Sequence, residues 1–295
     1  MPTLAPAMHP HRPAHRREPA HVYRFRRALA ATGAVLVLFA ALNIVGAVDG
    51  GGGDEAAPTT TTVASTTTTL PPPPACADAD VVVPDDPSAA WMTVLVDTAR
   101  ALPPDFGPND LRNIADAGFP FTDGVAVRSL VVSDLDALRQ AATANDTPLG
   151  IVAAYRSHPQ QVDLYDRRVD ELGNAEAGSR VARPGHSEHQ LGTTIDVTSE
   201  GATDVDQSWG ATPEGQWVAT NAHKYGFLLS YPSNASDRTC YDYEPWHLRY
   251  VGRELAADVI ASGLTLREYL WQLDPVDITT TTTTTATTVA PTSAG

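Results

Sequence analysis

The sequence predicts one α+β domain in which a small antiparallel sheet is flanked by helices. Three observations predict this class: several segments have apolar residues at helical spacing, the segments with strand character are short, and the two kinds do not alternate as regular βαβ units. No internal repeat indicates a solenoid or a propeller. We place the ordered domain at residues 76–275, which is long enough to bury a substantial core.

The elements follow in order from these patterns. Helical spacing predicts helices at 88–101, at 110–117 with Asp110 as the cap, and at 133–145, before an apolar strand at 149–155. Ser157, Pro159 and Gln160 then have the pattern of a helix start with a capping box. Beyond that helix we expect strands at 192–198, 227–231 and 244–251, and helices at 217–225 and 253–261.

The two ends of the chain differ from this domain in composition. Residues 1–27 are rich in Pro, His and Arg and predict a disordered cytoplasmic tail. Residues 28–48 are uncharged and apolar, with about the length needed to cross ~30 Å of hydrocarbon. Residues 49–75 have the Gly, Thr and Pro content of a stalk, and the Thr-rich residues 276–295 predict a second disordered tail.

The basic residues lie before the apolar run, which predicts that this side stays in the cytoplasm and that the rest is exported. The alternative is a cleaved signal peptide, which the long basic and apolar regions disfavour. We therefore expect a single-pass protein of the cell membrane whose folded domain is extracellular. In an oxidising compartment, Cys76 and Cys240 are expected to form a disulfide rather than remain free thiols.

The formal net charge of −15 excludes one class of partner. A chain this acidic repels the phosphate backbone, so we expect no nucleic-acid binding.

Residues that carry chemistry concentrate in two stretches. His189 and Asp196 lie on either side of Gly192, and Glu244 precedes His247 by three positions. Two histidines and one aspartate can hold zinc with an open coordination position, and the glutamate can then act as a general base. The spacing alone leaves open the alternative that these histidines bind no metal and only make structural hydrogen bonds. In a flat strand Glu244 and His247 would point to opposite faces, which indicates a bulge or edge position at Pro245.

Other nucleophilic sites fit the sequence less well. The segment GHSEH at 185–189, with Ser187 at its centre, lacks the second glycine of a nucleophile elbow. Asn221, three positions before Lys224, excludes a Ser-x-x-Lys site. A Cys/His hydrolase is disfavoured if both cysteines are paired.

Four blocks of the sequence resemble the VanY-type D-alanyl-D-alanine carboxypeptidases. That group of zinc peptidases also includes D-Ala-D-Ala dipeptidases and shares its metal-site fold with the hedgehog signalling domain. The resemblance covers about residues 110–260, and its blocks are AYRS at 154–157, RPGHSEHQLG at 183–192, IDV at 195–197 and EPWHLRYVG at 244–252.

This resemblance implies a role for each site residue. His189, Asp196 and His247 would bind Zn²⁺. Glu244 would be the general base and then carry the proton to the leaving amine, and Arg156 would stabilise the oxyanion. The implied contacts to the terminal carboxylate region of the substrate come from Ser187 and Gln161.

The resemblance implies a zinc D,D-carboxypeptidase that removes the terminal D-Ala from peptidoglycan stem peptides. Within the same chemistry, the alternative is a D-Ala-D-Ala dipeptidase, or an L,D-carboxypeptidase or endopeptidase acting on wall peptides. A different class, a non-catalytic wall-binding module, has no need of the base Glu244.

Overall fold

Local chemistry sets the ends of the helices. Gln160 accepts the backbone N–H of Ser157 through its side-chain oxygen at 2.8 Å, which begins the long helix at His158 as predicted. Thr265 and Glu268 form a second capping box at the start of the last helix. Gly226 adopts a left-handed conformation and ends the helical segment before it.

The computed structural model describes residues 73, 75–83 and 91–274. The predicted tails, the apolar run at 28–48 and nearly all of the stalk lie outside these residues. Within the described part, no helix has both the length and the apolar character needed to cross a bilayer. The strands are β1 Val81–Val82, β2 Arg100–Ala101, β3 Leu111–Asn113, β4 Ala126–Arg128, β5 Leu149–Ala153, β6 Thr194–Ser199, β7 Phe227–Leu229 and β8 His247–Tyr250.

Helices pack around these strands. The α-helices are α1 Val132–Ala144, α2 His158–Leu172, α3 Asn174–Arg180, α4 Pro213–Asn221, α5 Ser236–Thr239, α6 Arg253–Ser262 and α7 Leu266–Leu273. Short 3₁₀ helices occupy Ile114–Ala117, Glu188–Leu191, Gln207–Ala211 and Ala222–Tyr225. The predicted α+β class is therefore confirmed, with helices around small antiparallel sheets.

A four-stranded antiparallel sheet carries the site. Its strands lie in the order β5-β6-β8-β7. Ile195 and Val197 of β6 pack into the main core with Leu248 of β8 and with Leu135 and Leu138 of α1. Because side chains alternate along a strand, the residues between these apolar positions face the opposite side of the sheet. The sheet thus has one apolar face against helix α1 and one face that bears polar residues.

The disulfide between Cys76 and Cys240 is present, with the two Cα atoms 5.2 Å apart. It joins the start of the domain to the end of α5. The prediction of this pairing is confirmed.

Two predicted helices are wrong. Residues 91–99 are not helical, and residues 100–101 form β2. The carboxylate of Asp97 accepts the backbone N–H groups of Ala99 and Arg100, both at 2.9 Å, and so offers the chain an alternative to helical hydrogen bonds. The predicted helix at 110–117 is instead strand β3 followed by a single 3₁₀ turn, which Asn113 caps.

Candidate metal centre and active site

The two central strands bring two of the predicted metal ligands face to face. Asp196 of β6 and His247 of β8 are direct register partners on the polar side of the sheet. The 3₁₀ helix before β6 carries His189, and Gly192 in a left-handed conformation ends that helix and turns the chain toward the strand. One ligand atom from each of His189, Asp196 and His247 lies within 4.8 Å of the other two.

Hydrogen bonds on the far side of each imidazole ring fix which nitrogen faces this cluster. Nδ1 of His189 lies 2.6 Å from the carbonyl oxygen of Ala154, to which it donates, so Nε2 faces Asp196 at 3.4 Å. Nε2 of His247 lies 3.0 Å from Oε2 of Glu188, and Nδ1 faces Asp196 at 3.3 Å. The two rings are nearly perpendicular, with centroids 5.0 Å apart. Nε2 of His189, Nδ1 of His247 and the carboxylate of Asp196 therefore face one another.

The cluster fits a zinc ion by geometry and by charge. Ligand bonds of about 2.0–2.1 Å in a tetrahedron place neighbouring donor atoms roughly 3.3–3.4 Å apart. Oδ2 of Asp196 lies 3.4 Å from Nε2 of His189, and Oδ1 lies 3.3 Å from Nδ1 of His247, so each imidazole has one carboxylate oxygen at about this spacing. Among the described residues, Oδ1 of Asp196 is shielded from solvent without a well-formed hydrogen bond. Buried carboxylate oxygens normally accept hydrogen bonds or coordinate a cation, so this oxygen is available to bind a metal ion.

The surroundings shift the pKa values of the two histidines in opposite directions. Burial lowers the pKa of His189, which favours the neutral, ligating form. For His247 burial also acts to lower the pKa, but hydrogen bonds with Asp196 and Glu188 outweigh it and raise the pKa to about 10. The carboxylates of Asp196, Glu188 and Glu244 all act on His247. A bound cation would interact favourably with these carboxylates, so that the ring would not need to carry a second proton.

Glu244 lies beside the predicted metal ligands in a turn. Strand β8 begins at His247, so the predicted strand at 244–251 starts too early. The backbone N–H of His247 donates to the carbonyl of Glu244 at 3.2 Å, and this tight turn aims both side chains the same way. Oε2 of Glu244 lies 3.5 Å from Nδ1 of His247. Burial raises the pKa of Glu244 to about 8, a value suited to proton transfer near neutral pH.

Arg156 joins this cluster to a cavity of about 380 Å³. Arg156 is one of the residues that line the cavity, and the charges of Asp196 and Glu244 act on its guanidinium. Burial lowers the pKa of Arg156, and those two carboxylates partly offset the effect. The other polar or charged residues that line the cavity are Asp123, Tyr155, Gln160 and Arg167.

Gln161 is hydrogen-bonded to Arg156 and to the backbone, and its predicted contact to substrate stays a prediction. Its side chain is almost fully buried, its oxygen accepts from Nη1 of Arg156 at 2.9 Å, and its nitrogen donates to the carbonyl of Ala182 at 2.7 Å. Both ends of the amide are therefore engaged, and Gln161 orients Arg156. Ser187 is buried and immediately precedes the 3₁₀ helix that carries His189. Its contact to substrate stays a prediction.

Sequence reasoning assigned no role to the residues behind His247. Glu188 contacts His247, Arg249 and Ser230 in the buried interior. The ring of Tyr231 packs on the ring of His247 with centroids 4.7 Å apart. Arg249 lies two positions after His247 on the same strand face, and that spacing is the signal that could have paired it with an acid nearby.

Comparisons with known proteins give a consistent picture. Residues 124–253 match the family described as VanY, D-alanyl-D-alanine carboxypeptidase. The protein YodJ of Bacillus subtilis is 40% identical over 59% of this chain and 65% of its own length. The D-alanyl-D-alanine carboxypeptidase of Enterococcus faecalis is 29% identical over 61% of this chain and 66% of its own length. These two alignments thus span just under two thirds of the relatives.

A third relative is covered more fully. The bifunctional D-Ala-D-Ala dipeptidase and D-Ala-D-Ala carboxypeptidase VanXYC of Enterococcus gallinarum is 33% identical over 51% of this chain and 80% of its own length.

Solved structures share the fold. The LD-carboxypeptidase LdcB is 37% identical, with a TM-score of 0.56 over 61% of this chain and 86% of that chain. VanYB in complex with D-alanine-D-alanine is 29% identical, with a TM-score of 0.52 over 61% of this chain and 97% of that one. A VanY variant solved in complex with Zn(II) is 28% identical, with a TM-score of 0.52 over 61% and 99% of the two chains.

Proposed function

Because this chain belongs to the VanY family of D-alanyl-D-alanine carboxypeptidases, we propose that it is a zinc-dependent D,D-carboxypeptidase acting on peptidoglycan stem peptides. The observation that carries the proposal is the arrangement of the buried triad His189, Asp196 and His247 beside Glu244, with Arg156 joining them to a cavity. Relatives named D-alanyl-D-alanine carboxypeptidases support the choice of substrate.

The donor set defines what a bound metal would do. His189, Asp196 and His247 would hold zinc and leave one position open. When bound, zinc supplies a Lewis acid that lets a water molecule lose a proton near neutral pH.

Glu244 supplies the proton transfer. Its carboxylate accepts a proton from the attacking water as the water oxygen forms a bond to the carbonyl carbon of the penultimate D-Ala. As the C–N bond breaks, Glu244 gives the proton to the nitrogen of the leaving D-Ala, so atoms and charge balance. The partly buried position of Glu244 beside His247 places one group for both transfers.

Arg156 supplies charge stabilisation. Its guanidinium is held by Gln161 and offers N–H donors toward the cavity. A fixed cation at a developing oxyanion contributes on the order of 10²–10³ in rate. Because Arg156 donates to Gln161, and Gln161 in turn donates to the Ala182 carbonyl, Arg156 meets the oxyanion with little reorganisation.

An L,D-carboxypeptidase activity is the second candidate. LdcB, named an LD-carboxypeptidase, has higher identity and a higher TM-score to this chain than VanYB has. The two activities use the same metal centre and differ in which wall peptide the surrounding loops accept.

Mass spectrometry of defined wall peptides separates these activities. Purified zinc-loaded protein is incubated with a pentapeptide ending in D-Ala-D-Ala and, separately, with the tetrapeptide that ends in one D-Ala. We expect the pentapeptide to lose one alanine. Cleavage of the tetrapeptide alone would identify an L,D-carboxypeptidase, and release of the intact D-Ala-D-Ala unit a dipeptidase. No cleavage of either peptide by protein that holds zinc would overturn the proposed function.

We also propose that residues 28–48 anchor the protein in the cell membrane with the domain outside. The uncharged apolar run after a basic segment supports this placement, as does a disulfide within the domain. In fractionated cells, we expect the full chain in the membrane fraction, and external protease should remove the domain from intact protoplasts. Recovery of the chain in the soluble cytoplasm would contradict this placement.

A further inference from the structure

Glu188 is a buried acidic residue that the proposed reaction does not use. It precedes the metal ligand His189 in the same 3₁₀ helix, yet its carboxylate contacts the other ligand histidine. Oε2 lies 3.0 Å from Nε2 of His247 and also accepts from the hydroxyl of Ser230. Oε1 accepts from Nη1 of Arg249 at 3.1 Å. Glu188 thus contacts His247 at Nε2, the ring nitrogen opposite the one that faces Asp196.

This contact determines the tautomer of His247. A carboxylate accepts hydrogen bonds, so in the neutral, metal-binding ring the proton resides on Nε2 and the lone pair is left on Nδ1. Nδ1 is the nitrogen that lies 3.3 Å from Asp196, in the ligand cluster. Without an acceptor at Nε2, the neutral ring would be free to carry its proton on Nδ1, where it could not bind a metal.

Arg249 holds the carboxylate in place. Its side chain has no solvent exposure, and Nη2 donates to the backbone carbonyls of Trp91 and Val94 at 2.8 and 3.0 Å. Those carbonyls belong to the segment that precedes β2, so the hydrogen-bonded chain runs from that segment through Arg249 and Glu188 to His247.

The energetic cost of this arrangement points to a function. Burying an ion pair costs several kcal/mol per ion before the pairing is counted, and apolar residues of the same volume are often equally stable. The Glu188–Arg249 pair is therefore not explained by stability alone. A carboxylate on the outer nitrogen of a ligating histidine raises the basicity of that ligand and fixes the orientation of its ring.

We propose that Glu188 is a positioning residue for the metal centre, which fixes the Nδ1-ligating tautomer of His247 and strengthens its bond to the metal. Ser230 and Arg249 orient the carboxylate, and Asp196 completes the site from the opposite side. This inference rests on the proposed zinc site and extends it to residues that touch neither metal nor substrate.

Zinc affinity of full-length protein tests the inference. The affinity is measured by competition with a chromogenic chelator for the unsubstituted chain, Glu188→Gln and Ser230→Ala. Glu188→Gln keeps the side-chain volume and removes the charge, and we expect zinc binding to weaken about 10- to 100-fold. Ser230→Ala keeps the carboxylate and should weaken binding less. Glu171→Gln, which removes an exposed carboxylate on α2, is the matched control and should leave the affinity unchanged.

Two further readouts separate positioning from folding. With Co²⁺ in place of zinc, the visible absorption bands of Glu188→Gln should shift, because the ligand field of His247 changes. Without metal, the thermal midpoints of Glu188→Gln and of the unsubstituted chain should differ by less than the increase in midpoint that zinc produces in the unsubstituted chain.

The outcomes distinguish the inference from the proposed function. If the unsubstituted chain binds zinc and Glu188→Gln binds it equally tightly with the same cobalt spectrum, the positioning role is wrong. If Glu188→Gln does not fold, Ser230→Ala must still weaken zinc binding relative to Glu171→Gln, and an unchanged affinity would reject the inference. If the unsubstituted chain binds no zinc, the proposed function itself fails.

Discussion

At the scale of single residues, each of the two predicted ligand histidines depends on a hydrogen bond at the ring nitrogen that faces away from the cluster. The Ala154 carbonyl orients His189, and Glu188 orients His247. Asp196 keeps one buried oxygen without a well-formed hydrogen bond in the described part of the protein. The site is thus preorganised: the donors converge before any ion binds, and the ion does not have to order them.

Glu244 and the three ligands have separable roles, and a substitution should show it. Glu244→Gln keeps the volume of the side chain and removes the proton acceptor. We expect zinc content to stay near that of the unsubstituted protein while kcat on the preferred wall peptide falls about 10²–10⁴-fold. The measurement is metal analysis of the same sample that is used for kinetics.

The control for Glu244→Gln is Glu214→Gln, an acid in the first turn of α4, which should leave both quantities unchanged. Unchanged turnover in Glu244→Gln would remove this residue from the role of general base.

At the scale of elements, the sequence predicts best where local chemistry and tertiary structure agree. The start of α2 follows from Ser157 and Gln160, and alternation along β6 places Asp196 opposite the core residues Ile195 and Val197. Prediction fails at residues 91–99, where Asp97 holds the backbone in a non-helical form. Helical spacing of apolar residues does not reveal that competition.

The role of Glu188 was beyond the reach of sequence reasoning for a different reason. Its partners Ser230 and Arg249 are 42 and 61 positions away in the chain. Glu188 lies in the 3₁₀ helix before β6, and the pairing of β6 with β8 places that helix near His247. The family resemblance named the ligands, but it carried no information about what holds them.

The turn between His189 and β6 requires a glycine. Gly192 has φ = +72°, and an added Cβ would lie 2.9 Å from Cγ of Arg128 and 3.1 Å from Cγ of Pro108. We expect Gly192→Ala to lower the free energy of unfolding by about 1–3 kcal/mol, because both the left-handed backbone and the contacts oppose a side chain. The urea midpoint measures this change.

Gly178 provides the comparison for that substitution. It lies within α3, and an added Cβ would meet nothing within 4 Å. Gly178→Ala should leave the stability unchanged or raise it by about 0.5–1 kcal/mol. Equal midpoints for the two alanine variants would contradict the structural role of Gly192.

At the scale of the whole molecule, segments that are distant in the chain contact the four-stranded sheet or its neighbouring elements. The segment before β2 binds Arg249 through its carbonyls, and the first described residues are tied to the end of α5 by the disulfide. Elements that are distant in the chain therefore support the strand that carries His247. In the extracellular location that we propose, the surroundings would keep this covalent link oxidised.

Removal of the disulfide should destabilise the whole domain. Cys76 and Cys240 are separated by 164 positions, so the bond closes a long loop. We expect Cys76→Ser with Cys240→Ser to lose about 2–4 kcal/mol of unfolding free energy, measured by denaturant titration. The unsubstituted protein in reducing buffer should lose a similar amount, and an unchanged midpoint in both samples would show that the bond does not stabilise the fold.

The proposed activity depends on a metal ion held by His189, Asp196 and His247. Metal analysis tests this most directly. Full-length protein dialysed against buffered zinc should contain close to one zinc per chain, and His189→Ala should lose it. His223→Ala changes a histidine outside the cluster and should retain the metal. An unsubstituted protein without zinc, or a His189→Ala variant that binds zinc as tightly as the unsubstituted chain, would contradict the account.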